Sequence, residues 1–512
     1  MNKLTPATES FWFGRTFKIS LLLIFIIELF SFLNHSLNQV WGTGNLFFCF
    51  FAFLLFCLTL YRLEYGLFAV LIELLIGSQG HYFDLNLNGQ IISIRIALFA
   101  IVVVSFLYHS LRKKEFKNTL NVFLKNKYLI ILALVFIWGL ISALLNENSF
   151  KNIFNDFNAW LYFLYLFPII YVLQRKTDLR KLWPILTAGI TAVSLKSLFF
   201  LYVFSHKFTQ LPNYLYDWGR DMRWGEFTLV SGGLYRIFSQ AQIWSLIACL
   251  IILVNILLIK KFKTNKKEWL ILSLIIALNL ATVLLSLSRS YWVGLIVAGI
   301  TILMFAIFYY RLRIYQFATL IGKSLIIALL SSIVLIIALF FPLPQQTVLN
   351  PSSALNSRFD IGDQAGASRW NQLPQLFEAI SQHPIIGSGW GTTVTYESRD
   401  PRIVTEDNPT GVYTTYAFEW GYLDIILKIG LFGLFIYLLF IFQIVKKAFI
   451  LLKNKEEQHR NALLIGLFVG LIALLGTHMF SPYLNHPLGI GYLLIFFTTV
   501  EYYSRTAPTK SL

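Results

Sequence analysis

The sequence predicts an all-α fold, a polytopic transmembrane helix bundle with about 14 spans. Of the 512 residues, 57% are hydrophobic and 13% are charged, whereas soluble globular chains are about 45–50% apolar and about 25% charged. The apolar residues form stretches of about 20, the length that a helix needs to cross about 30 Å of hydrocarbon. These observations exclude a chain of soluble domains and predict a single membrane domain over residues 1–512.

The apolar stretches define the candidate spans in chain order. The third stretch is short, and only Ser286–Ser290 separates the ninth from the tenth. The stretches lie near residues 17–34, 45–62, 64–78, 91–110, 128–145, 154–173, 183–204, 239–259, 269–287, 290–309, 319–342, 420–445, 462–480 and 487–502.

The distribution of basic residues predicts the orientation of the bundle. Most Lys and Arg residues fall in short segments that share one side when the number of spans is even, such as Arg112–Lys127, Lys260–Lys267 and Lys446–Arg460. Short basic loops stay in the cytoplasm. The sequence therefore predicts a multi-pass protein of the cytoplasmic (inner) membrane with both termini cytoplasmic. It also predicts that the net charge of +17 reflects this topology rather than binding to nucleic acid.

Neither a disulfide framework nor a cofactor site is evident in the sequence. Cys49, Cys57 and Cys249 all lie in apolar runs, and no metal-spaced His/Cys cluster, phosphate loop or dinucleotide fingerprint is present. We therefore expect no metal and no cofactor.

Two outer segments interrupt the pattern of spans. One covers residues 205–238, and the other, residues 342–419, is far longer than an ordinary connection between helices. Within the second, Trp370, Leu373, Phe377 and Ile380 recur at helical spacing. They predict a short amphipathic helix on the outer membrane surface, with Ser368 as its N-cap, a kink at Pro374 and an end near His383.

Four basic residues on the outer side or within spans are candidates for function. Arg95, Lys196 and Lys428 lie within or near the ends of spans, where an unpaired cation costs at least about 2.5–3.5 kcal/mol. Each fits either a functional site or a side chain that extends to the interface. For Arg289, between two serines at a tight junction of spans, function is favoured. Its planar guanidinium suits two phosphate oxygens at once, as in a lipid pyrophosphate.

Four segments share their order and sidedness with one protein family. They are Leu234–Phe238, Ser286–Gly294 (SLSRSYWVG), Arg369–Gly389 and Glu419–Gly433. Together they resemble the motifs of the O-antigen ligase / O-antigen polymerase superfamily of bacterial membrane proteins, over about residues 230–450. The N-terminal third resembles the family only as hydrophobic spans.

The resemblance implies a metal-independent, inverting glycosyl transfer on the outer face of the cytoplasmic membrane. The donor would be a saccharide on a polyprenyl pyrophosphate, and the acceptor a saccharide or a lipid core, with polysaccharide assembly proteins as further partners. The resemblance assigns pyrophosphate binding to Arg289 and Arg236, with Arg369 as a weaker third candidate. Fixed cations of this kind stabilise the charge that gathers on the leaving group.

The catalytic base is the point at which the chain departs from the family. Ligases have a histidine where this chain has Glu419. A carboxylate serves as a general base if partial burial raises its pKa, and otherwise Glu419 marks a solvated span end or pairs with Arg289 or Arg236. His478 and His486 are alternative sources of an imidazole.

The missing ligase histidine favours a polymerase slightly over a ligase. Two other classes remain as alternatives: a membrane transporter or lipid-oligosaccharide flippase, and a non-catalytic partner in polysaccharide assembly. Transporters usually show internal symmetry with interrupted helices, which this sequence does not show. A non-catalytic partner would need neither an arginine within the membrane nor a long outer loop rich in arginine and aromatic residues.

Overall fold

The computed structural model describes residues 10–175, 179–258, 266–342, 350, 353, 356, 364–400 and 403–506. Within these ranges the chain is mostly helical. The α-helices are α1 (Arg15–Trp41), α2 (Gly44–Tyr61), α3 (Leu63–Ile76), α4 (Ile94–Arg112), α5 (Phe116–Leu124), α6 (Lys127–Leu145), α7 (Phe150–Phe157), α8 (Leu166–Gln174), α9 (Leu182–Ser205), α10 (Leu211–Asp221), α11 (Gln242–Leu258), α12 (Lys266–Leu285), α13 (Arg289–Met304), α14 (Ile314–Phe340), α15 (Gln364–Gln382), α16 (Gly421–Leu452), α17 (Gln458–His478) and α18 (Pro487–Thr506).

Three antiparallel hairpins supply the strands in the part of the chain that the structure describes. They pair β1 (Asp84–Leu87) with β2 (Gln90–Ser93), β3 (Glu226–Leu229) with β4 (Tyr235–Phe238), and β5 (Val394–Glu397) with β6 (Val412–Thr415). Each hairpin lies in a segment that the sequence places on the outer side. Two of them fall in the two long outer segments, the third between the third and fourth predicted spans.

The helices confirm a multi-pass membrane protein but leave the number of spans open. In the described ranges ten helices are long and apolar enough to cross a membrane, or eleven if the bent pair Phe150–Phe157 and Trp160–Gln174 is one span. Helix α3 has only 14 residues, and α11 is also short. Every predicted stretch contains helix, but the count of about 14 spans stays a prediction.

The interior of the bundle lies around α9, α11, α17 and α18. Most side chains of these helices are buried, whereas α1, α2 and α14 leave most of their apolar side chains exposed. Apolar side chains on the outside of a bundle suit contact with lipid tails rather than water. The latter three helices therefore form part of the lipid-facing surface.

The long outer loop contains the predicted helix, with a different buried face. Helix α15 begins at Gln364, so Ser368 lies inside it and is not its N-cap. The Ser368 hydroxyl instead accepts a hydrogen bond from the backbone N–H of Arg399 at 2.7 Å. Leu376 is buried against Phe418, while Trp370 and Phe377 are exposed. Packing on the rest of the outer loop therefore determines which face is buried.

The predicted orientation is tested by two matched cysteine substitutions in a chain whose own cysteines are replaced by serine. Glu406 in the long outer loop and Glu456 between α16 and α17 are both exposed. In intact cells we expect a membrane-impermeant maleimide to label Glu406→Cys, and to label Glu456→Cys only after permeabilisation. The reverse pattern would place the long loop in the cytoplasm.

Candidate functional site

Arg289 is the first residue of α13 and follows a tight turn after α12. Leu287 in this turn has a positive φ of 47°, and Ser288 Oγ lies 3.0 Å from Ser290 Oγ. The first backbone N–H groups of a helix lack partners within the helix, and the helix dipole adds positive potential there. The half-buried Arg289 guanidinium therefore shares its position with a backbone that favours anions.

Arg236 lies on β4 next to the same turn. Its Nε donates a hydrogen bond to the carbonyl of Ser286 at 2.9 Å, and its guanidinium lies 4.7 Å from the centre of the Phe238 ring. Its Nη1 is 3.7 Å from a carboxylate oxygen of Glu226 on the paired strand β3. The structure thus places Arg236 and Arg289, which are far apart in sequence, at one turn.

The loop between α17 and α18 covers this turn, and its role was not apparent from the sequence. Ser481 Oγ lies 3.0 Å from Ser290 Oγ, and the hydroxyls of Tyr483 and Tyr291 are 2.5 Å apart. Burial raises the pKa of the Tyr483 hydroxyl, although the bond to Tyr291 and the charge of Arg236 oppose the shift. Tyr483 therefore stays protonated and acts as a neutral hydrogen-bonding group.

Arg369 and Glu419 form an ion pair in the long outer loop. The Arg369 side chain is 32% exposed and that of Glu419 is 48% exposed. Trp420 donates from Nε1 to the carbonyl of Arg369 at 2.9 Å, which ties the start of α16 to α15. Glu419 pairs with Arg369. Because about half of its side chain is exposed, Glu419 lacks most of the burial that we expect of a general base.

The α17–α18 loop lies between neighbours of Arg289 and neighbours of the Arg369–Glu419 pair. The ring of Phe480 lies 5.5 Å from that of Trp420, which neighbours Glu419, and the next residue, Ser481, contacts Ser290 beside Arg289. The loop therefore contacts Ser290, the neighbour of Arg289, and Trp420, the neighbour of Glu419.

The candidate base His478 is part of the packed interior. His478 is fully buried. Its Nδ1 accepts a hydrogen bond from the backbone N–H of Leu484 at 3.1 Å, and its ring packs edge-on against Tyr422. A Cβ on Gly421 would lie 2.4 Å from the His478 ring, so α16 begins directly against it.

His486 and His383 also have structural surroundings. Burial, with a smaller contribution from the charge of Arg95, lowers the pKa of His486 to about 3, so this imidazole is neutral. His383 follows the last residue of α15, and its carbonyl accepts a hydrogen bond from the N–H of Gly387 at 2.9 Å. His383 therefore lies in the turn that ends the helix, as the sequence predicts.

Two of the membrane-embedded cations are paired inside the bundle. Arg95 Nη2 lies 2.8 Å from a carboxylate oxygen of Glu73, and Lys196 Nζ lies 2.7 Å from one of Glu28. Lys196 is also within 4.4–4.9 Å of three ring centres, those of Tyr82, Trp218 and Trp224. Since both cations are buried, neither extends to the interface. Arg95 balances the buried carboxylate of Glu73, and Lys196 the half-buried one of Glu28.

Lys428 lies between two carboxylates on different helices. Its Nζ is 2.7 Å from Asp156 on α7 and 2.7 Å from Asp424 one turn earlier on α16. Asn485 of the α17–α18 loop donates to Asp424, and the backbone N–H of Gly391 donates to Asp156 at 2.8 Å. Lys428 and Asp424 are 2% exposed, and Asp156 is 8% exposed. This network joins four segments of the chain.

Helix α16 is broken at Gly430, directly after this network. Gly430 has φ 72° and ψ 176°, and a Cβ there would lie 2.0 Å from the carbonyl oxygen of Ile385. Only glycine adopts this conformation without strain. The backbone N–H of Phe432 donates to that Ile385 carbonyl at 3.1 Å, so part of the long outer loop replaces the missing helical partner.

The loop segment Pro384–Gly391 closes both ends of the break. Leu431 N–H donates to the carbonyl of Pro384, while the N–H groups of Ser388 and Gly389 donate to the carbonyls of Leu427 and Lys428. We call this segment, paired with the break at Gly430, the clasp. Its glycine-rich sequence serves close backbone packing: a Cβ on Gly389 would lie 2.1 Å from the backbone of α6.

Asparagine side chains bind the clasp to α6 and the turn after it. Asn146 and Asn148 donate to the carbonyl of Ser388 at 3.2 Å and 3.1 Å, and Asn148 also donates to that of Trp390. The Trp390 indole is fully buried and donates to the carbonyl of Phe136 at 3.1 Å. The clasp, which contacts α16 on both sides of Gly430, is therefore itself fixed to α6.

Comparison with known proteins identifies the region that contains these features. Residues 272–438 match the family model described as O-Antigen ligase, a range that includes Arg289, Arg369, Glu419 and the clasp, while Arg236 lies before it. No curated protein matches the chain. The match supports a glycosyltransferase-like role in polysaccharide assembly at a membrane. Residues 272–438, about a third of the chain, are thus similar to the O-antigen ligase family.

Proposed function

We propose that the protein is a membrane glycosyltransferase that transfers or polymerises saccharides carried on polyprenyl pyrophosphate. The reaction takes place on the outer face of the cytoplasmic membrane, during synthesis of a cell-surface polysaccharide. One observation supports the proposal most strongly. Arg236 bonds to the turn that leads into α13. Arg289 is the first residue of that helix and lies within the region that matches the ligase family.

The arginines at this turn suit the leaving group of such a transfer. Cleavage of the sugar–phosphate bond leaves negative charge on the pyrophosphate, and fixed donors at that point lower the barrier. Arg289 and the first N–H groups of α13 bind one phosphate, and Arg236 bridges to the second. Arg236 is already oriented by its bond to the Ser286 carbonyl, so little reorganisation accompanies binding.

Arg369 and Glu419 form the acceptor side of the proposed site. Because they contact one another, their proposed roles are coupled. A pyrophosphate that attracts the Arg369 guanidinium leaves the Glu419 carboxylate able to accept a proton from the acceptor hydroxyl. That hydroxyl attacks the anomeric carbon, and the bond to the pyrophosphate oxygen breaks.

Among the two activities of the superfamily, we favour polymerisation. The motif that holds a histidine in ligases holds Glu419 here. Of the two candidate histidines, His478 on α17 is buried and His486 before α18 is half-buried. The acceptor would then be another lipid-linked saccharide. A ligase would instead transfer the chain to a lipid core. The glycans that accumulate without the protein distinguish the two: single repeat units on the final acceptor for a polymerase, long unattached chains for a ligase.

The pyrophosphate site is tested by Arg289→Ala and Arg289→Lys, assayed as purified protein with a lipid-linked donor. Loss of one transition-state contact costs about 2.7–4 kcal/mol, so we expect at least about a hundredfold lower turnover for alanine. Lysine should restore part of the rate, because it keeps the charge but lacks the planar guanidinium that binds two oxygens at once. Arg399→Ala removes the same charge from an exposed position in the long outer loop and should be nearly normal. Equal rates for Arg289→Ala and Arg399→Ala would remove Arg289 from the site.

The proposed base is tested by Glu419→Gln and Glu419→His in the same assay. We expect Gln to lose about 10²–10⁴-fold in turnover, the usual contribution of a general base, and His to recover part of it because imidazole titrates near neutrality. Glu397→Gln, at an exposed position of the same loop, is the matched control. Full activity of Glu419→Gln, or equal loss with His, would contradict the proton-transfer role.

A further inference from the structure

A cavity lies at the end of the bundle remote from the candidate site. It has a volume of about 230 Å³, and α5, α6, α8, α16 and α18 all contribute to its walls. Lys447 in its wall follows the break at Gly430 by 17 residues of continuous helix, roughly 26 Å at ~1.5 Å per helical residue. The cavity is therefore in the other leaflet, which the predicted orientation makes the cytoplasmic one.

The charged groups of this cavity are mostly cationic. Lys125, Lys447 and Arg505 line it, and among the described lining residues Glu501 is the only acidic one. The ammonium group of Lys447 contacts the Glu501 carboxylate, which holds both side chains in the wall. Two cations remain beyond this pair, so the cavity carries an excess of positive charge.

One polar atom in the wall indicates a ligand that also donates a hydrogen bond. The side-chain carbonyl oxygen of Gln443 is buried and has no hydrogen-bond partner among the residues that the structure describes. A buried acceptor without a partner costs about 1–3 kcal/mol. A hydroxyl on a bound molecule would satisfy it, whereas the ionised phosphate of a phosphodiester has no proton to donate.

The remaining wall is apolar. Leu129, Leu173 and Phe497 line the cavity together with the charged groups. Basic pockets between helices at the cytoplasmic interface are typical binding places for phospholipid headgroups. A combination of cations, an unsatisfied acceptor and apolar side chains fits a molecule with a phosphate, a hydroxyl and a hydrocarbon part.

We propose that this cavity binds the headgroup of an anionic phospholipid of the inner leaflet, a phosphodiester with a free hydroxyl such as phosphatidylglycerol. The phosphate oxygens accept hydrogen bonds from Lys125, Lys447 and Arg505, and the headgroup hydroxyl donates to Gln443. The acyl chains continue along the apolar wall into the bilayer. The bound lipid links α5, α16 and α18 at the end of the bundle remote from the outer site.

The test is lipid retention by the purified full chain, measured by native mass spectrometry after transfer from nanodiscs of phosphatidylcholine with phosphatidylglycerol. Each basic residue near a membrane surface strengthens anionic lipid binding by about fivefold. We therefore expect Lys125→Ala/Arg505→Ala to retain about 25-fold less phosphatidylglycerol. The control Lys446→Ala/Lys453→Ala removes the same charge from exposed positions of α16 and its end and should bind like the unchanged protein.

Three further measurements distinguish the possible explanations of a change in lipid retention. Lys125→Arg/Arg505→Lys keeps the charges and should retain the lipid, which separates a lost site from a misfolded variant. Gln443→Leu should bind phosphatidylglycerol no better than phosphatidic acid, which lacks the headgroup glycerol. Inorganic phosphate and glycerol 3-phosphate should not compete with the lipid. Equal retention by both alanine pairs would overturn the proposal, and displacement by inorganic phosphate would identify a soluble anion as the ligand instead.

Discussion

The ammonium group of Lys428, between Asp156 and Asp424, is the interaction on which the outer half of this bundle depends. A buried charge left alone in a low-dielectric interior is costly, and removal of one partner from such a pair typically costs about 3–5 kcal/mol. The ion pair between Lys428 and Asp156 therefore fixes α7 against α16 at one position. Through Gly391 and Asn485 it also fixes the clasp and the α17–α18 loop. One cation thus sets the relative positions of four segments that are distant in sequence.

The α17–α18 loop transmits this constraint to the candidate site. Asn485 contacts the Lys428 network, Tyr483 pairs with Tyr291, Ser481 contacts Ser290, and Phe480 packs near Trp420. Within about six residues, this loop contacts neighbours of Arg289 and of the Arg369–Glu419 pair. The proposed donor and acceptor sides are therefore held by a short connection rather than by the long outer loop alone.

The sequence predicted what depends on local pattern. The helices follow from apolar runs, and Arg236, Arg289, Arg369 and Glu419 follow from motifs whose order matches a family. The Lys428 network could not be predicted, because Asp156 and Lys428 are 272 positions apart and no spacing rule relates them. The buried face of α15 was also missed, because Leu376 is buried by contact with distant parts of the chain while the more regular apolar positions Trp370 and Phe377 remain exposed.

The most direct test of this account is the turnover of Gly430→Ala with a lipid-linked donor, compared with that of Gly299→Ala. A Cβ on Gly430 would meet the Ile385 carbonyl at 2.0 Å in a left-handed conformation, whereas one on Gly299 meets no atom within 4 Å. If the clasp positions Glu419 and Trp420, Gly430→Ala should insert into the membrane but lose most turnover, and Gly299→Ala should be nearly normal. Equal, near-normal turnover of the two variants would contradict the account.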